Sequence, residues 1–482
     1  MTREYRFLVN GEWRVSAEPL EVRSPYSGEV AGLTWQATPQ DVEDAVAGAA
    51  AAFQETRKLP TYRRAELLER IVDKLKAEQE SIARLIALEA GKPIRLARAE
   101  AARAVMTFTD ALEECKRIRG EWLPLDLDAN SCGRFGLVRR LPIGPVLAIT
   151  PFNFPLNLVA HKLAPALACG ASVVLKPAPQ APLSALNLAR IIHEADHEAG
   201  QEAGAPGAVN ALLCPVEAAQ AMVSDDRLRV LSFTGSAAVG WTLKQKAGRK
   251  RVLLELGGNA GVAVHSDADL DHAAERCVLG GFAYAGQVCI AVQRIYVQQR
   301  VADSFVEKLL ERVGKLRLGD PLDEATDVGP MISPQAAQRA ESWVREAVRG
   351  GAKLLAGGAR DGSFFQPTVL THTTPEMRVC REEVFAPVVV LEPYDQLQEA
   401  LVAINDSPYG LQAGIFTNDQ QAIFRAFEEL EVGGIIVNDV PTYRADPMPY
   451  GGSKDSGIGR EGVRYAIQEL TEPRVMVLRT AR

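Results

Sequence analysis

Cys289 is the residue whose setting in this sequence best suits covalent chemistry. It ends the segment Gly286-Gln287-Val288-Cys289, which follows an alanine- and glycine-rich stretch where little side-chain bulk hinders approach to the thiol. A nucleophilic thiol needs a lowered pKa, donors for the oxyanion formed on its target, and a base for product release. Cys289 is one of seven cysteines, and most unbonded cysteines are small buried apolar side chains. Other motifs must therefore decide its role.

Short motifs accompany Cys289 along the chain. They are Pro151-Phe152-Asn153-Phe154-Pro155, Phe233-Thr234-Gly235-Ser236, Leu254-Glu255-Leu256-Gly257-Gly258-Asn259, Gly286-Gln287-Val288-Cys289, Glu382-Glu383-Val384-Phe385 and Pro449-Tyr450-Gly451-Gly452. In this order, and in the spacing of Glu255 and Cys289, the sequence resembles the aldehyde dehydrogenase superfamily. The resemblance begins at Asn10-Gly11-Glu12-Trp13 and reaches nearly to the C-terminus. Each motif is weak alone, but the linked set is a strong signal.

The resemblance implies a reaction and three catalytic residues. Cys289 adds to an aldehyde as a thiolate, and the thiohemiacetal becomes a thioester when hydride leaves for a nicotinamide. Asn153 and the Cys289 main-chain N–H are expected to bind the oxyanion, and one such donor lowers a barrier by about 3–4 kcal/mol. Glu255 is expected to act as general base on the water that releases the acid. Without the resemblance, Asn153 is better interpreted as a turn former and Glu255 as a surface charge.

The resemblance also implies NAD or NADP as cofactor, in a Rossmann-like domain without the usual glycine fingerprint. Lys176, at the end of a predicted strand, is expected to bind the adenosine ribose. Glu383 is expected to hold the nicotinamide ribose, with Phe385 packed near the ring. Gly235 and Ser236 precede a helix, where main-chain N–H groups and the hydroxyl suit a pyrophosphate. The other predicted cofactor residues are Thr150, Pro151, Pro179 and Gly257.

Pro179 departs from the family pattern. NAD-preferring members often carry a glutamate three residues after the lysine, where it binds the ribose hydroxyls. Proline cannot accept those hydrogen bonds, and no carboxylate is present there to repel a 2′-phosphate. We therefore expect the site to accept NADP as well as NAD, with the preference open.

The segment from Asn438 to Arg444 resembles a branch that oxidises small hydroxy- or anion-bearing aldehydes, such as the lactaldehyde, non-phosphorylating glyceraldehyde-3-phosphate and phosphonoacetaldehyde dehydrogenases. Arg444 and Arg103 are candidate anion anchors, because guanidinium groups pair bidentately with carboxylate or phosphate. Solvated surface charges are the alternative interpretation. Val288 argues against a phosphorylated triose, since some enzymes of that kind have arginine there. The remaining predicted substrate residues are Asn157 and Tyr443.

Three other functions are open from the sequence. A CoA-acylating semialdehyde dehydrogenase shares fold and nucleophile, but usually lacks the deacylating carboxylate that Glu255 would supply. A binding or structural protein that retains the fold is a second alternative, against which the presence of Cys289, Asn153 and Glu255 argues. A zinc protease is indicated only by the HExxH letters of residues 193–197, which have no suitably spaced third ligand, so no metal is expected. The GxGxxG letters of residues 457–462 follow a polar run rather than a strand.

The elements that must position these residues change character along the chain. A capping box at Thr38 predicts a helix to about Phe53, and an apolar stripe predicts one helix from about Arg64 to Ala90. From Gly144 on, short apolar runs alternate with helical segments, which predicts βαβ units and a mainly parallel sheet. The prediction is an α/β protein with a Rossmann-like parallel-sheet cofactor domain (1–121 and 143–257), an α/β catalytic domain (258–454), and a small β oligomerisation arm with a C-terminal tail (122–142 and 455–482).

The arm is predicted as a hairpin, Leu123–Asp128 and Arg134–Leu141, and the tail as a strand, Arg474–Leu478. Isolated strands need a sheet to complete them. We therefore expect both to support a homodimer or homotetramer, although pairing within the chain is equally allowed.

The bulk composition is that of an ordinary globular protein, with 47% hydrophobic and 24% charged residues. A net charge of −7 leaves no basic field for nucleic acid. The apolar region from Leu147 to Leu175 is interrupted by prolines, asparagines, His161 and Lys162, so no membrane span is expected. Scattered cysteines and an N-terminus unlike a signal peptide favour a cytoplasmic protein with reduced thiols.

Overall fold

The computed structural model describes residues 3–198 and 205–480. Residues 1–2 of the predicted cofactor domain, residues 199–204 of the same segment, and residues 481–482 of the predicted tail lie outside this part. Within the described ranges, no helix is long and apolar enough to cross a membrane.

Up to Glu255, the described part of the chain opens with four short strands, four helices follow, and from Val146 on strands and helices alternate. The strands are β1 (Phe7–Val9), β2 (Glu12–Arg14), β3 (Pro19–Arg23), β4 (Val30–Trp35), β5 (Glu121–Pro124), β6 (Arg134–Pro142), β7 (Val146–Ile149), β8 (Val173–Lys176), β9 (Val209–Ala211), β10 (Val230–Thr234) and β11 (Arg251–Glu255). The helices are α1 (Pro39–Thr56), α2 (Thr61–Ala77), α3 (Gln79–Ala90), α4 (Ile94–Cys115), α5 (Asn157–Cys169), α6 (Leu183–Glu198), α7 (Val216–Ser224) and α8 (Ala237–Lys246).

The second half of the chain continues the alternation. Its strands are β12 (Ala260–Val264), β13 (Val292–Gln298), β14 (Lys353–Ala356), β15 (Arg360–Asp361), β16 (Phe364–Phe365), β17 (Thr368–Thr371), β18 (Val388–Tyr394), β19 (Tyr409–Gly410), β20 (Gln412–Phe416), β21 (Gly434–Val437), β22 (Ser453–Lys454), β23 (Gly457–Ile458) and β24 (Thr471–Arg479). Its helices are α9 (Leu270–Phe282), α10 (Ala302–Val313), α11 (Pro334–Arg349), α12 (Arg378–Arg381), α13 (Leu397–Asn405), α14 (Gln420–Glu429) and α15 (Val463–Leu470), with 3₁₀ turns at Ala283–Gly286 and Gln299–Val301.

The first sheet has the strand order β2-β1-β9-β8-β7-β10-β11-β23. Its five central strands are parallel, and β1, β2 and β23 run antiparallel at the edges. From β7 the chain adds β8 and β9 on one side, then returns to place β10 and β11 on the other. This reversal opens a crevice beyond the carboxyl ends of β7 and β10, where open α/β sheets bind ligands.

The second sheet has the order β14-β17-β18-β13-β12-β20-β21 and is parallel except for the β14–β17 pair. Each of the two large sheets packs against its own hydrophobic core, one built mainly from residues before Gly257 and the other from residues between 262 and 440. The predicted α/β fold with parallel sheets is confirmed.

A third, three-stranded antiparallel sheet has the order β24-β6-β5. The tail strand pairs with the hairpin along its whole length, from Thr471 opposite Pro142 to Arg479 opposite Arg134. The predicted hairpin and tail strand therefore complete each other within the chain, which is one of the two arrangements that the sequence allowed. β24 lies at the edge of this sheet, and Val475, Met476 and Val477 are each more than half exposed.

The prediction of one continuous helix from Arg64 to Ala90 is wrong. The structure has α2 and α3, separated at Glu78, whose φ of −102° and ψ of 7° are not helical. The Glu78 carboxylate accepts a hydrogen bond from Arg190 of α6. Both helices bury an apolar face, so the pattern of apolar residues does not reveal the break. The capping box at Thr38 is confirmed at the start of α1.

Candidate active site

Cys289 follows the 3₁₀ turn at the end of α9. Tyr284 and Ala285 have φ of 50° and 51°, a left-handed conformation that side chains rarely adopt. A Cβ on Gly286 would lie 2.1 Å from the Ala386 carbonyl oxygen, so this glycine lets the turn approach the chain after Phe385. The turn therefore holds the nucleophile segment against the second sheet.

The Cys289 thiol is partly exposed and lies 3.0 Å from the Tyr450 hydroxyl. Burial raises the pKa of this thiol to about 11, and the hydrogen bond with Tyr450 opposes the shift only in part. The surroundings within the chain therefore favour the neutral thiol, so the thiolate is not preformed by these residues.

Asn153 is buried in the loop between β7 and α5. Its Nδ2 donates to the Gln287 carbonyl oxygen at 3.0 Å, which ties it to the chain just before Cys289. Its second Nδ2 hydrogen remains, and the Cys289 main-chain N–H has no acceptor in the described ranges. These two N–H groups are available to donate to an oxyanion formed beside the thiol.

Glu255 ends β11 and is only 4% exposed. Its Oε2 has no hydrogen-bond partner among the described residues. Burial, together with the nearby Glu461 carboxylate, raises the pKa of Glu255 well above its ordinary value. A carboxylate shifted in this direction suits general base catalysis near neutral pH.

Glu461 carries the charge that faces Glu255. It pairs with Lys162 at 3.3 Å and with Arg444 at 3.0 Å, and all three side chains are nearly buried. Burial alone would raise the pKa of Glu461. The neighbouring Lys162, Arg444 and His161 outweigh that effect and hold the pKa below its ordinary value. Glu461 therefore stays ionised, which separates the pKa values of two neighbouring carboxylates.

Arg444 joins this charged group to the nucleophile. Its side chain is 6% exposed, and its guanidinium carbon lies 3.7 Å from the centre of the Tyr450 ring, whose hydroxyl contacts Cys289. Its Nη2 bonds Glu461 and lies 3.3 Å from His161 Nδ1, while its Nε has no partner in the described part. Arg444 is thus not the solvated surface charge of the alternative interpretation.

The other predicted substrate residues are placed differently. Arg103 is 29% exposed and pairs with Asp446 at 2.9 Å. Asn157 is buried, and its Oδ1 accepts from Thr107, which also bonds Asp446. Arg103, Asn157 and Arg444 therefore belong to one polar network through Asp446 and His161. Tyr443 is 51% exposed, and its carbonyl oxygen accepts from Gln412.

The crevice at the carboxyl ends of β7 and β10 carries unsatisfied hydroxyl groups. Thr150 Oγ1 and Thr234 Oγ1 are buried without hydrogen-bond partners among the described residues. Ser236 precedes α8 without capping it through its side chain. The Gly235 N–H already donates to the Glu255 carbonyl oxygen at 3.1 Å. Ser236 and the first N–H groups of α8 therefore remain to meet a phosphate, as a dinucleotide requires.

The remaining predicted cofactor residues line the same region. Lys176 ends β8, where burial lowers its pKa, and Pro179 is exposed in the following turn. Glu383 Oε1 accepts from the Gly258 N–H at 3.2 Å, and burial raises the pKa of this carboxyl to about 7. A Cβ on Gly257 would lie 2.2 Å from Glu383 Oε2, so a side chain at this position would displace the Glu383 carboxylate. This region also contains Pro151, which follows Thr150, and Phe385, whose ring packs edge-on against Phe152.

Two motifs that match known sites by letters have structural explanations. The glycines of residues 457–462 allow β23 to pair closely with β11, since a Cβ on Gly457 would lie 2.1 Å from the Leu254 carbonyl oxygen. His193 and His197 contact each other edge-on near the end of α6. In residues 3–198 and 205–480, no group of three or more ligand side chains is placed to hold a metal ion.

Several residues of the site were not assigned from the sequence. Tyr450 and Glu461 lie in motifs that were noted for other reasons, and Asp446 has no sequence signal. His161 and Lys162 did carry a signal, because they interrupt an otherwise apolar segment. A charged residue in such a segment is stable when it is paired, and Lys162 pairs with Glu461 inside the fold.

Comparison with known proteins agrees with this geometry. Residues 13–476 match the model of the Aldehyde dehydrogenase family. The chain is 47% identical over 478 residues to a 3-sulfolactaldehyde dehydrogenase of Priestia aryabhattai, covering 99% of this chain and 98% of that protein. Aldehyde dehydrogenase 21 from Physcomitrella patens, solved with the reaction product succinate, superposes with a TM-score of 0.96 at 45% identity and 99% coverage of both chains.

Glyceraldehyde-3-phosphate dehydrogenase GapN from Methanocaldococcus jannaschii, complexed with NADP, superposes with a TM-score of 0.93 at 39% identity, covering 97% of this chain and 100% of that one. These relatives agree with the branch indicated by the sequence motifs. The chain therefore belongs to the aldehyde dehydrogenase family and is an NAD(P)-dependent aldehyde oxidoreductase.

Proposed function

We propose that this enzyme oxidises small aldehydes that carry a hydroxyl or an anionic group, and that Arg444 binds the anion. The observation that carries the proposal is the position of the nearly buried Arg444 guanidinium. It packs on the Tyr450 ring, and the Tyr450 hydroxyl contacts the Cys289 thiol. Its Nε lacks a partner among the described residues, as expected of a cation that a substrate completes. The 3-sulfolactaldehyde dehydrogenase and the succinate-bound structure support an anionic substrate.

In the proposed reaction, the Cys289 thiol gives its proton to solvent, and the resulting thiolate adds to the aldehyde carbon. Asn153 and the Cys289 N–H bind the resulting oxyanion. When bound, the nicotinamide ring supplies the acceptor for the hydride that the thiohemiacetal loses. Glu255 then removes a proton from water, which attacks the thioester and releases the acid and the Cys289 thiol. Glu461 supports Glu255 by keeping its pKa raised, because the two carboxylates share one buried site.

For the cofactor, we propose that Lys176 binds the adenosine ribose and Glu383 the nicotinamide ribose. Ser236 and the start of α8 receive the pyrophosphate, and Phe385 packs near the ring. The unpartnered Thr150 and Thr234 hydroxyls and the glycine at position 257 fit a polar ligand in this crevice. Because Pro179 offers no carboxylate, both NAD and NADP should be accepted.

An aldehyde panel with both cofactors tests the substrate proposal. Three- and four-carbon aldehydes with a carboxylate, a sulfonate or a hydroxyl are compared with uncharged aldehydes of equal length, by the absorbance of the reduced nicotinamide. We expect the highest kcat/KM for the anionic aldehydes. A preference for long uncharged aldehydes would contradict the proposal, and acyl-CoA as product would favour the CoA-acylating alternative.

We also propose the division into domains stated from the sequence, with residues 1–121 and 143–257 binding the cofactor and residues 258–454 carrying the nucleophile. The two separate cores support it. A cytoplasmic location is part of the same proposal, because the chemistry requires Cys289 as a reduced thiol.

A second copy of the chain is the proposed partner of the arm. β24 is an exposed edge strand, and β21 is the edge of the second sheet next to α14, whose Phe424 and Phe427 are 65% and 70% exposed. Unpaired edges with apolar side chains favour association. Light scattering should give a dimer or tetramer, and charged substitutions at Val475 and Val477 should shift it towards monomer. A monomeric parent protein would contradict the proposal.

A further inference from the structure

A buried ion pair lies behind the two segments that carry Asn153 and Cys289. Lys92 and Glu100 pair through Nζ and Oε2, and their side chains are 1% and 0% exposed. In the described part of the chain, the hydrogen bonds and ring contacts given for the pair go to Leu156, Asn157, Phe154 and Tyr284. Burying two charges is costly unless each is fully satisfied, so the contacts of this pair indicate what it holds in place.

Glu100 anchors the loop that carries Asn153. Its Oε1 accepts the main-chain N–H groups of Leu156 and Asn157, at 3.0 and 3.1 Å. Leu156 is the N-cap of α5 and has no side chain that can cap it, so Glu100 supplies the missing acceptor from another helix. The end of the Asn153 loop is thereby fixed to α4.

Lys92 connects this loop to the Cys289 turn. Its Nζ lies 3.6 Å from the centre of the Phe154 ring and 4.5 Å from that of the Tyr284 ring. Phe154 follows Asn153, and Tyr284 is the first of the two left-handed residues in the turn before Cys289. Tyr284 also donates its hydroxyl to the Ala90 carbonyl oxygen at 2.9 Å. One buried ammonium thus holds two aromatic rings from the two segments by cation–π contacts.

We propose that Lys92 and Glu100 are positioning residues that fix Asn153 relative to Cys289, and so set the geometry of the oxyanion donors. The inference rests on the proposed role of Asn153. Asn153 Nδ2 donates to the Gln287 carbonyl oxygen, and the Phe154 ring packs edge-on against Tyr284, so the two segments touch directly and the ion pair lies behind both contacts. Small displacements of a catalytic group cost large factors in rate, which gives such a support kinetic weight.

A double-mutant cycle tests this proposal. Lys92→Met/Glu100→Gln replaces the pair by neutral side chains of similar shape, and glutamine can still accept from Leu156 and Asn157. The single-turnover rate of nicotinamide reduction should fall about tenfold or more in the wild-type background. In the Asn153→Ala background the same change should alter the rate less than about twofold, because the group being positioned is gone.

The controls separate this proposal from general structural damage. Glu89→Gln changes another fully buried carboxylate, which accepts from Leu183 and Ser184 at the start of α6, and it should leave the single-turnover rate unchanged. Phe154→Leu removes one cation–π partner and leaves the ion pair intact, so it should fold even where the double variant does not. It should slow single turnover about threefold, again only when Asn153 is present.

An equal loss of rate with and without Asn153 would overturn the proposal, as would wild-type rates in both Phe154→Leu and the double variant. If Asn153→Ala alone leaves the rate unchanged, the proposed oxyanion role fails instead. The two failures are therefore distinguishable.

Discussion

The two sides of the Cys289 thiol differ in whether their buried polar groups have partners within the described part of the chain. On the proposed substrate side, the cations of Arg444 and Lys162 both pair with Glu461 inside the protein. On the cofactor side, the Thr150 and Thr234 hydroxyls have no partner in the described part of the chain. A buried charge without a partner costs much free energy, so it must be paired even when no ligand is bound. A buried neutral hydroxyl without a partner costs less. The proposed substrate side is therefore paired within the chain, and the proposed cofactor crevice leaves hydroxyl groups for a ligand to bond.

The largest expected effect comes from Glu255, which lies between the two sides. Glu255→Gln should lower steady-state turnover about 10²- to 10⁴-fold, because it removes the base for deacylation. A stoichiometric burst of reduced nicotinamide should remain, since acylation precedes the step that Glu255 serves. Stopped-flow absorbance measures both. Loss of the burst would contradict the assignment to deacylation, and Glu89→Gln is the matched buried control.

The pH dependence of thiol reactivity tests the environment of Cys289. Because the pKa is about 11, the thiolate fraction should rise tenfold for each pH unit below that value. Alkylation of Cys289 by iodoacetamide, without cofactor, should therefore accelerate about 100-fold from pH 7 to pH 9 without a plateau. Tyr450→Phe should slow it, because the hydrogen bond from Tyr450 lowers the pKa. A plateau below pH 9 would show a thiolate already stabilised.

Substitution of Arg444 tests whether this residue binds the anionic group of the substrate. Arg444→Ala should raise KM for a carboxylate-bearing aldehyde about 10- to 100-fold, the usual value of a charged hydrogen bond. KM for an uncharged aldehyde of the same length should change only slightly, although kcat should fall for both aldehydes because Arg444 also keeps Glu461 ionised. Arg103→Ala is the matched comparison and should have the smaller effect, because Arg103 is more exposed. Equal effects of Arg444→Ala on KM for both aldehydes would assign this residue to the structure rather than to specificity.

Pro179 tests the cofactor side with the smallest expected effect. Pro179→Glu should lower kcat/KM for NADP about fivefold, the usual scale of an exposed charge interaction, and leave NAD nearly unchanged. Pro179→Gln separates the new charge from the loss of proline. If the parent enzyme strictly rejects NADP, the inference from Pro179 is wrong.

Regular elements of the fold were predictable because their signals are local. The predicted alternation of short apolar runs and helical segments after Gly144 matches the order of β7, α5, β8, α6, β9, α7, β10, α8 and β11. The break at Glu78 was not predictable, because α2 and α3 both keep an apolar face on either side of it. Whether the arm would pair with the tail or with another chain could not be decided either, because strand pairing at long separation leaves no local pattern.

The candidate catalytic residues could be predicted from the sequence, whereas the buried charged groups around them could not. Cys289, Asn153 and Glu255 came from a resemblance between linked motifs, and the structure places a hydrogen bond from Asn153 beside Cys289. The Glu461–Arg444–Lys162 group and the Lys92–Glu100 pair could not be assigned, because their members are far apart in sequence and are joined only by folding. The raised pKa of the thiol arises from burial, which no motif encodes.

The most direct test of the covalent mechanism is to trap the acyl group on Cys289. Glu255→Gln enzyme, mixed with an anionic aldehyde and NADP or NAD and quenched in acid, should carry one acyl group on the peptide that contains Cys289, detected by mass spectrometry. Cys289→Ala should show neither the adduct nor turnover. An unmodified Cys289 peptide during the burst, or dehydrogenase turnover that survives Cys289→Ala, would contradict the thioester mechanism.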